Sequence, residues 1–385
     1  MTSPLYIDYH ILQNVPPSNL NRDDAGSPKH AQFGGARRAR VSSQAWKRAT
    51  RVAYAESVSK ADRATRTKKI AALLAERLQE REGIGPEEAA RLATALLAPL
   101  GITMSQKKSE ETSYLLFFGR RQLDAIAGLV HGRVPELLGL EDKELATRLG
   151  KLDIDAELMR SHPAEVALFG RMVANRPEIN VDASVQVAHA LSTHPVESEF
   201  DYYTAVDDEN DKGQTGAGMI GTIEFNSATL YRYATLGLHQ LYANLGGTEA
   251  NAGDAAEAAK RFTETFATSM PTGHQNSFAH RTLPYLVVAT LRADQPVNLI
   301  SAFEKPVRGT NGLADASAAR LAAEALAVRD TWGSVPLAVF ASYSEQGEDT
   351  GKKLSEAFGA SLPFPQLAEK VEESALTWLE KGTLA

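Results

Sequence analysis

The sequence contains no cysteine. That removes disulfides, thiol nucleophiles and cysteine-ligated zinc, and with them the zinc-finger modes of reading nucleic acid. It also lacks a GxxxxGK[ST] loop to hold a nucleoside triphosphate and a GxSxG elbow to present a nucleophilic serine. The aromatic Lys/Arg-Gly-Phe-x-Phe-Val-x-Phe signature of RNA-recognition sheets is missing too. Apolar runs such as Tyr114–Phe118 and Leu286–Leu291 are far too short to span a bilayer. The N-terminus reads as a polar-alternating strand rather than a signal peptide, so a cytoplasmic chain with no membrane partner is expected. A local absence says most. Between Ala25 and Ala55 there is no carboxylate, although the 385-residue chain is acidic, with a formal net charge of −7.

That stretch is rich in cations instead. Lys29, Arg37, Arg38, Arg40, Lys47, Arg48 and Arg51 all fall within it. Residues 1–58 carry eight Lys/Arg against four Asp/Glu, a net of +4, which leaves −11 on the rest. A basic segment kept inside an acidic protein is an electrostatic footprint for a polyanion. Gly34-Gly35 reads as a joint where backbone passes close to a neighbour. Arg37, Arg38 and Arg40 follow in an extended context ending at Val41. Ser42-Ser43 offers the N-cap of a helix that begins near Gln44. On it, Ala45, Trp46, Ala49, Val52 and Ala53 form the stripe expected to be buried. Gln44, Lys47, Arg48 and Arg51 share the opposite face. A helix N-terminus beside a cationic face is a phosphate site in outline. The plainer reading is a solvated basic helix.

Along the chain, Leu5–Gln13 is a strand with Leu5, Ile7, Tyr9 and Ile11 on one face, expected to end at Val15-Pro16-Pro17. Ser18–Gly35 is a long loop, a kind of segment that in compact domains tends to carry function. From about residue 59 to 174, amphipathic helical patterns follow one another, including one over Glu110–Phe118. Lys107-Lys108 and Arg120-Arg121 within them are secondary candidates for phosphate contacts, or else solvated faces. Val185–Leu191 and Tyr231–Leu236 look like central strands, and Glu197–Gly221 between them like a protruding hairpin with a Tyr202-Tyr203 pair. Helices over Gly253–Ser269, Ala316–Thr331 and Phe364–Lys381 alternate with strands over Leu283–Leu291 and Pro336–Ser342. The fold class expected is α+β: a ferredoxin-like (RRM-like) core with a helical insertion and a protruding β-hairpin.

Three stretches resemble the CasC family, the crRNA-binding backbone subunit of the type I-E CRISPR Cascade surveillance complex. The longest runs Leu20-Asn21-Arg22-Asp23-Asp24, then Phe33-Gly34-Gly35-x-Arg37-Arg38-x-Arg40-Val41-Ser42-Ser43-Gln44, then Lys47-Arg48. The others are His189–His194 leading into Thr204–Asp208, and Ala302-Phe303-Glu304-Lys305. The resemblance implies a palm over residues 1–58, 181–194 and 225–385, helical fingers over 59–180 and a hairpin thumb over 195–224. It implies a non-catalytic role in antiviral defence. Copies of the chain would polymerise as a helical homo-oligomer along a single-stranded guide RNA, beside other Cascade subunits, and present the guide for pairing with target DNA. Read with the basic stretch, it places RNA contacts at Arg22, Lys29, Arg37, Arg38, Arg40, Ser42, Gln44, Lys47, Arg48 and Arg51. Lys305, in the Ala-Phe-Glu-Lys motif, and Arg308 support them. It further implies that Met172, of a Gly-Arg-Met motif, and Tyr203, in the thumb, segment the guide.

Two other readings stay open on the sequence. Asp23 or Asp24 could serve a metal-dependent RNA endonuclease of a related effector complex. However, adjacent carboxylates in extended chain point apart, as they would at Asp207-Asp208, and make a poor metal clamp. The basic stretch could instead meet an acidic protein. No metal site, cofactor or catalytic residue is expected; His189 and His194 have no third ligand nearby.

Overall fold

The computed structural model describes residues 3–101, 112, 115–174, 176–206, 217–309, 312–344 and 347–384. Lys107-Lys108 and Asp207-Asp208 lie outside the described residues. The chain divides into two compact units. One comprises Met1–Ala53, Gln186–Gly237 and Ala259–Ala385; the other comprises Tyr54–Val185 and Leu238–Ala258.

In chain order the elements are β1 (Tyr6–Ser18), a hairpin of β2 (His30–Phe33) and β3 (Ala36–Val41), and α1 (Ser43–Ser57). Next come β4 (Ala64–Thr67), α2 (Ile70–Glu82), α3 (Pro86–Leu97), β5 (Leu116–Gly119), α4 (Arg120–Gly128) and α5 (Val134–Leu138). They are followed by α6 (Asp142–Leu149), α7 (Ile154–Met159) and α8 (Ala164–Phe169). Then follow β6 (Val185–Val187), β7 (Ala190–Ser192), β8 (Glu199–Val206), β9 (Ala217–Gly237), α9 (Leu238–Asn244) and α10 (Ala252–Thr268). The last are α11 (Gln275–Phe278), β10 (Leu286–Arg292), α12 (Leu313–Trp332), β11 (Ala338–Tyr343), α13 (Glu348–Phe358) and α14 (Phe364–Lys381).

A nine-stranded sheet carries the first unit, in spatial order β11-β10-β1-β9-β7-β3-β2, with β8 running back along β9. The ladders β1–β9, β1–β10, β10–β11, β2–β3, β3–β7, β7–β9 and β8–β9 are all antiparallel. The α+β class holds. The strands differ from their expected form in three places. β1 does not stop at Val15; it continues to Ser18 because Pro16-Pro17 fall in a bulge between the Val15–Ala228 and Ser18–Asn226 pairs, where no ladder hydrogen bond is asked of them. The strand expected over Val185–Leu191 is broken at Ala188-His189 into β6 and β7. The end of the helical pattern over Glu110–Phe118 is strand β5, which pairs with β4; its Leu-Phe-Phe run has the length and bulk of a buried strand.

Both faces of β1 are covered. Ile7, Tyr9 and Ile11 face α10, where Tyr9 packs edge-on to Phe262 at 5.5 Å and its hydroxyl meets Thr263 at 2.8 Å. The opposite face, Asp8, His10 and Leu12, is also buried. There Leu12 joins Phe303 on the segment Leu299–Phe303 and Leu321 and Ala322 on α12 in one apolar cluster. The second unit has its own core of Leu74, Leu78, Leu92, Leu96, Phe118, Leu123 and Ile126 from α2, α3, β5 and α4.

The buried polar pair on β1 makes stability depend on pH. Burial pushes the Asp8 carboxyl from 3.8 up to about 6, against hydrogen bonds from the Val297 N–H and the Tyr233 hydroxyl and the charge of Arg292. Burial, with Arg292 adding to it, pushes the His10 imidazole from 6.5 down to about 3. The folded state therefore holds the Asp8 proton more tightly than the unfolded chain, and this contribution to stability falls as pH climbs from 3.8 to about 6. Folded His10 resists protonation, so its contribution falls as pH drops from 6.5 towards 3. The two slopes oppose each other in the window they share. Asp8→Asn removes one of them, so the variant's urea midpoint should decline steadily from pH 6.5 to pH 4 while the wild type stays flatter. A variant whose midpoint is level or rises over that range would refute this account.

Candidate nucleic-acid interface

The loop before β2 is tied down along its length. The Lys29 N–H donates to the Asn21 carbonyl and the Arg40 N–H to the Lys29 carbonyl, both at 2.9 Å, which lays the loop beside β3. Asn21 Oδ1 accepts the Ser42 N–H at 2.9 Å, and Asn19 Nδ2 donates to the Gly26 and Glu224 carbonyls. Asp23 Oδ1 takes the N–H groups of Ala25 and Ser27, so this carboxylate closes the turn. Asp24 is exposed beside it. Among the described residues, no three His, Asp or Glu side chains converge as a metal site. Arg22 Nη1 donates to His274 Nε2 at 2.8 Å, on a loop where Gly273 runs against the carbonyls of Asn19 and Leu20.

Gly34 and Gly35 form the two-residue turn of the β2–β3 hairpin, with φ of 58° and 71°. Two consecutive positive φ values are what a tight hairpin of matching twist requires. Gly34 carries a second constraint, since a Cβ there would lie 1.5 Å from the Glu304 carbonyl oxygen. This contact sets the turn against the residue preceding Lys305. The same arrangement divides the arginine run. Arg37 is exposed and reaches Ser198 Oγ at 3.4 Å; Arg40 is half-buried, with Nε on the His30 carbonyl. Arg38 is 0% exposed. Its guanidinium donates to the carbonyls of Phe33, Ser192, Phe303 and Glu304 at 2.8–3.3 Å. Successive strand residues point to opposite faces, so the neighbours Arg37 and Arg38 could not both reach one ligand. Arg38 is a buried tie between three segments and does not belong with the exposed cations.

Helix α1 is capped as expected: Ser42 Oγ accepts the Ala45 N–H at 3.3 Å. Several donors at this end are already engaged within the protein. Ser42 N–H goes to Asn21, Ser43 N–H to His189 Nδ1 at 3.1 Å, and Ala45 N–H to Ser42. Ser42 itself is buried. The buried stripe is Trp46, Thr50 and Tyr54, with the Arg232 guanidinium lying 3.7 Å over the Trp46 ring. Val52, expected inside, is 42% exposed. The stripe runs at i, i+4, i+8 from Trp46, and Val52 falls outside it. Gln44 and Arg48 are exposed, while Lys47 and Arg51 are half-buried. Burial lowers the Lys47 pKa, as for a lysine whose stem lies along the protein.

The electrostatics of this face differ from those elsewhere. Among the described residues, no ion pair engages Arg22, Lys29, Arg37, Arg40, Lys47, Arg48, Lys305 or Arg308. In the helical unit, by contrast, Arg77 pairs with Asp124, Arg91 with Asp142 and Arg121 with Asp62. Cationic crowding registers on the histidines. His189 is pushed down by burial and then by Arg40 and Lys29; His30 by burial, Arg37 and Arg40 against Glu224 and Asp23; His274 by burial and Arg22. Lys305 and Arg308 are exposed, and the Val307 N–H between them is anchored on the Thr193 carbonyl at 2.8 Å.

The two residues expected to touch bases are placed differently from each other. Met172 is 82% exposed on the helical unit. It follows Gly170, which has a φ of 75° and where a Cβ would lie 2.8 Å from the Val181 carbonyl oxygen, and Arg171, whose buried guanidinium donates to the Ile179 and Leu158 carbonyls. The Gly-Arg-Met triplet is thus a turn, an anchor and a presented side chain. Tyr203 on β8 lies over its cross-strand partner Gly221, whose missing side chain makes room for the ring. Phe200 and Tyr202, on the other face of that ribbon, are more exposed. Phe200 escaped sequence reasoning, although its i, i+2 spacing to Tyr202 carried the signal.

The CT1975-like protein family model matches residues 7–369. Among solved structures, the chain is similar to a chain of a CRISPR RNA-guided surveillance complex, pre-nicking. The two are 31% identical with a TM-score of 0.81, over 96% of this chain and 100% of that one. It is also similar to a chain of a second CRISPR RNA-guided surveillance complex, at 28% identity and a TM-score of 0.73, over 96% and 99% of the two chains. No curated protein matches it.

Proposed function

Since the chain belongs to the CT1975-like family, the CasC-like subunits of CRISPR surveillance complexes, we propose that it is a non-catalytic, crRNA-binding backbone subunit of a type I-E Cascade. Copies polymerise along one guide in the cytoplasm, next to other Cascade subunits, and hold it for pairing with target DNA. The sheet unit acts as a ferredoxin-like palm, the helical unit as fingers and the β8–β9 ribbon as a thumb. Arg22, Lys29, Arg37, Arg40, Lys47, Arg48 and Arg51, with Gln44, Lys305 and Arg308, grip the phosphates. Ser42 shapes the start of α1, and Met172 and Tyr203 segment the bases.

One observation carries this reading. Among the described residues, Arg22, Lys29, Arg37, Arg40, Lys47, Arg48, Lys305 and Arg308 are in no ion pair, in a chain of net charge −7 whose helical unit pairs Arg77, Arg91 and Arg121 with carboxylates. Unpaired cations are what a polyanion site requires, because each phosphate they neutralise releases counterions. Sequence discrimination then falls to base pairing, since no base-reading surface is required of the protein.

The test is single-stranded RNA binding across a salt titration, with and without Mg²⁺. Neutralising roughly five to seven phosphates gives a log–log slope of roughly −3.5 to −5, at about 0.7 per phosphate, with the RNA intact throughout. RNA cut only when Mg²⁺ is present, and spared by Asp24→Ala, would replace the scaffold by a nuclease. Salt-insensitive behaviour with no RNA bound would turn the basic face towards an acidic protein instead.

A further inference from the structure

The break between β6 and β7 places His189 at the start of α1, and this histidine is unlike the one five residues on. His194 uses both ring nitrogens inside the protein: Nδ1–H donates to the Pro195 carbonyl at 2.8 Å and Nε2 accepts the Thr229 N–H at 3.1 Å. His189 is exposed and uses one. Its Nδ1 accepts the Ser43 N–H at 3.1 Å, so in the neutral ring the proton sits on Nε2. Among the described residues, nothing accepts that Nε2–H.

The surroundings say what would accept it. Arg40 and Lys29 lie near enough to hold the imidazole below its ordinary value, after burial, and so keep it neutral. Neither cation has a carboxylate partner among the described residues. Two cations and a neutral N–H donor with no internal acceptor suit an oxygen that carries negative charge and takes several hydrogen bonds at once. We propose that His189 is a further RNA-contact residue, donating its Nε2–H to a phosphate oxygen of the bound strand while its Nδ1 holds α1 in place. The assignment rests on the RNA-binding reading above and adds a neutral contact to its cationic ones.

A neutral donor leaves a signature that a cation does not. Deleting it weakens binding without changing the number of counterions released. His189→Asn keeps an acceptor, Oδ1, where Nδ1 stood and removes the Nε2–H; His189→Gln restores a donor near the Nε2 position. The experiment measures the full-length chain binding an unstructured oligouridine and the matching oligodeoxyuridine across a salt titration, with thermal melts of each variant. His189→Asn should bind both strands about 10–100-fold more weakly, the worth of one hydrogen bond to a charged group. Its salt slope and melting temperature should match the wild type, and His189→Gln should recover part of the loss.

Wild-type affinity in His189→Asn, while the wild type binds RNA, overturns the contact and leaves the RNA-binding reading intact. A loss confined to the ribo strand overturns the phosphate assignment in favour of the 2′-hydroxyl. A loss that tracks a lowered melting temperature reduces His189 to a helix cap. A wild type that binds neither strand removes both proposals together.

Discussion

Arg38→Ala is expected to destabilise the protein by on the order of 3–5 kcal/mol. The substitution strips donors from the buried contacts to the Ser192 and Phe303 carbonyls and the partly buried ones to Glu304 and Phe33. Each buried acceptor left without a partner costs about 1–3 kcal/mol. The four carbonyls belong to β7, the hairpin and the segment before Lys305, so the loss loosens the contact of Gly34 with Glu304 as well. Arg37→Ala, one residue away and exposed, should change stability by less than about 0.5 kcal/mol. Denaturation midpoints of the two variants check the contrast. At temperatures where Arg38→Ala remains folded, its RNA salt slope should equal that of the wild type. An Arg38→Ala protein with unchanged stability and a shallower slope would mean that this arginine reaches the ligand after all.

The second large effect is on binding. Lys29→Ala, Lys47→Ala and Arg48→Ala combined should weaken single-stranded RNA binding about 100-fold at roughly 0.1 M salt and reduce the magnitude of the slope by about 2, from three counterion-releasing contacts at about 0.7 each. None of the three side chains is in an ion pair among the described residues, so their removal strands no buried partner and the melting temperature should hold. The control is Arg77→Ala combined with Arg91→Ala. These remove two cations that are already neutralised by Asp124 and Asp142 in the helical unit. If that control lowers the slope as much as the triple variant does, binding follows total charge rather than this face, and the assigned contacts fail.

These contrasts show where sequence reasoning stops. Composition and order suffice for a cationic stretch without carboxylates, because charge is counted without knowing the fold. The N-cap at Ser42 and the Gly34-Gly35 turn were legible for a similar reason: each follows from the chemistry of one or two adjacent residues. α13 was not foreseen, since Gly351 interrupts it and only Thr350, Leu354 and Phe358 are buried, too sparse a signal for an amphipathic helix. β1 reads as carrying one apolar face, Leu5, Ile7, Tyr9 and Ile11, because polar residues alternate along it. The structure buries Asp8 against Val297, Tyr233 and Arg292 and His10 against Tyr231, and no local pattern states what will cover the second face of a strand.

By itself, then, the sequence determined the α+β class, the family resemblance, the basic stretch between Ala25 and Ala55, and the caps and turns within it, all of which are properties of neighbouring residues. Only the tertiary structure decided which cations remain available. Arg37 and Arg38 are equivalent in sequence and opposite in space, because strand pleating and the carbonyls of Ser192, Phe303 and Glu304, remote in the chain, turn one arginine inward. The same holds for the start of α1, where Asn21 and His189 take N–H groups that the sequence alone left open to a phosphate. Hydrogen-bond satisfaction in a folded chain is a long-range property: the Phe303 carbonyl that takes the Arg38 guanidinium lies 265 residues away.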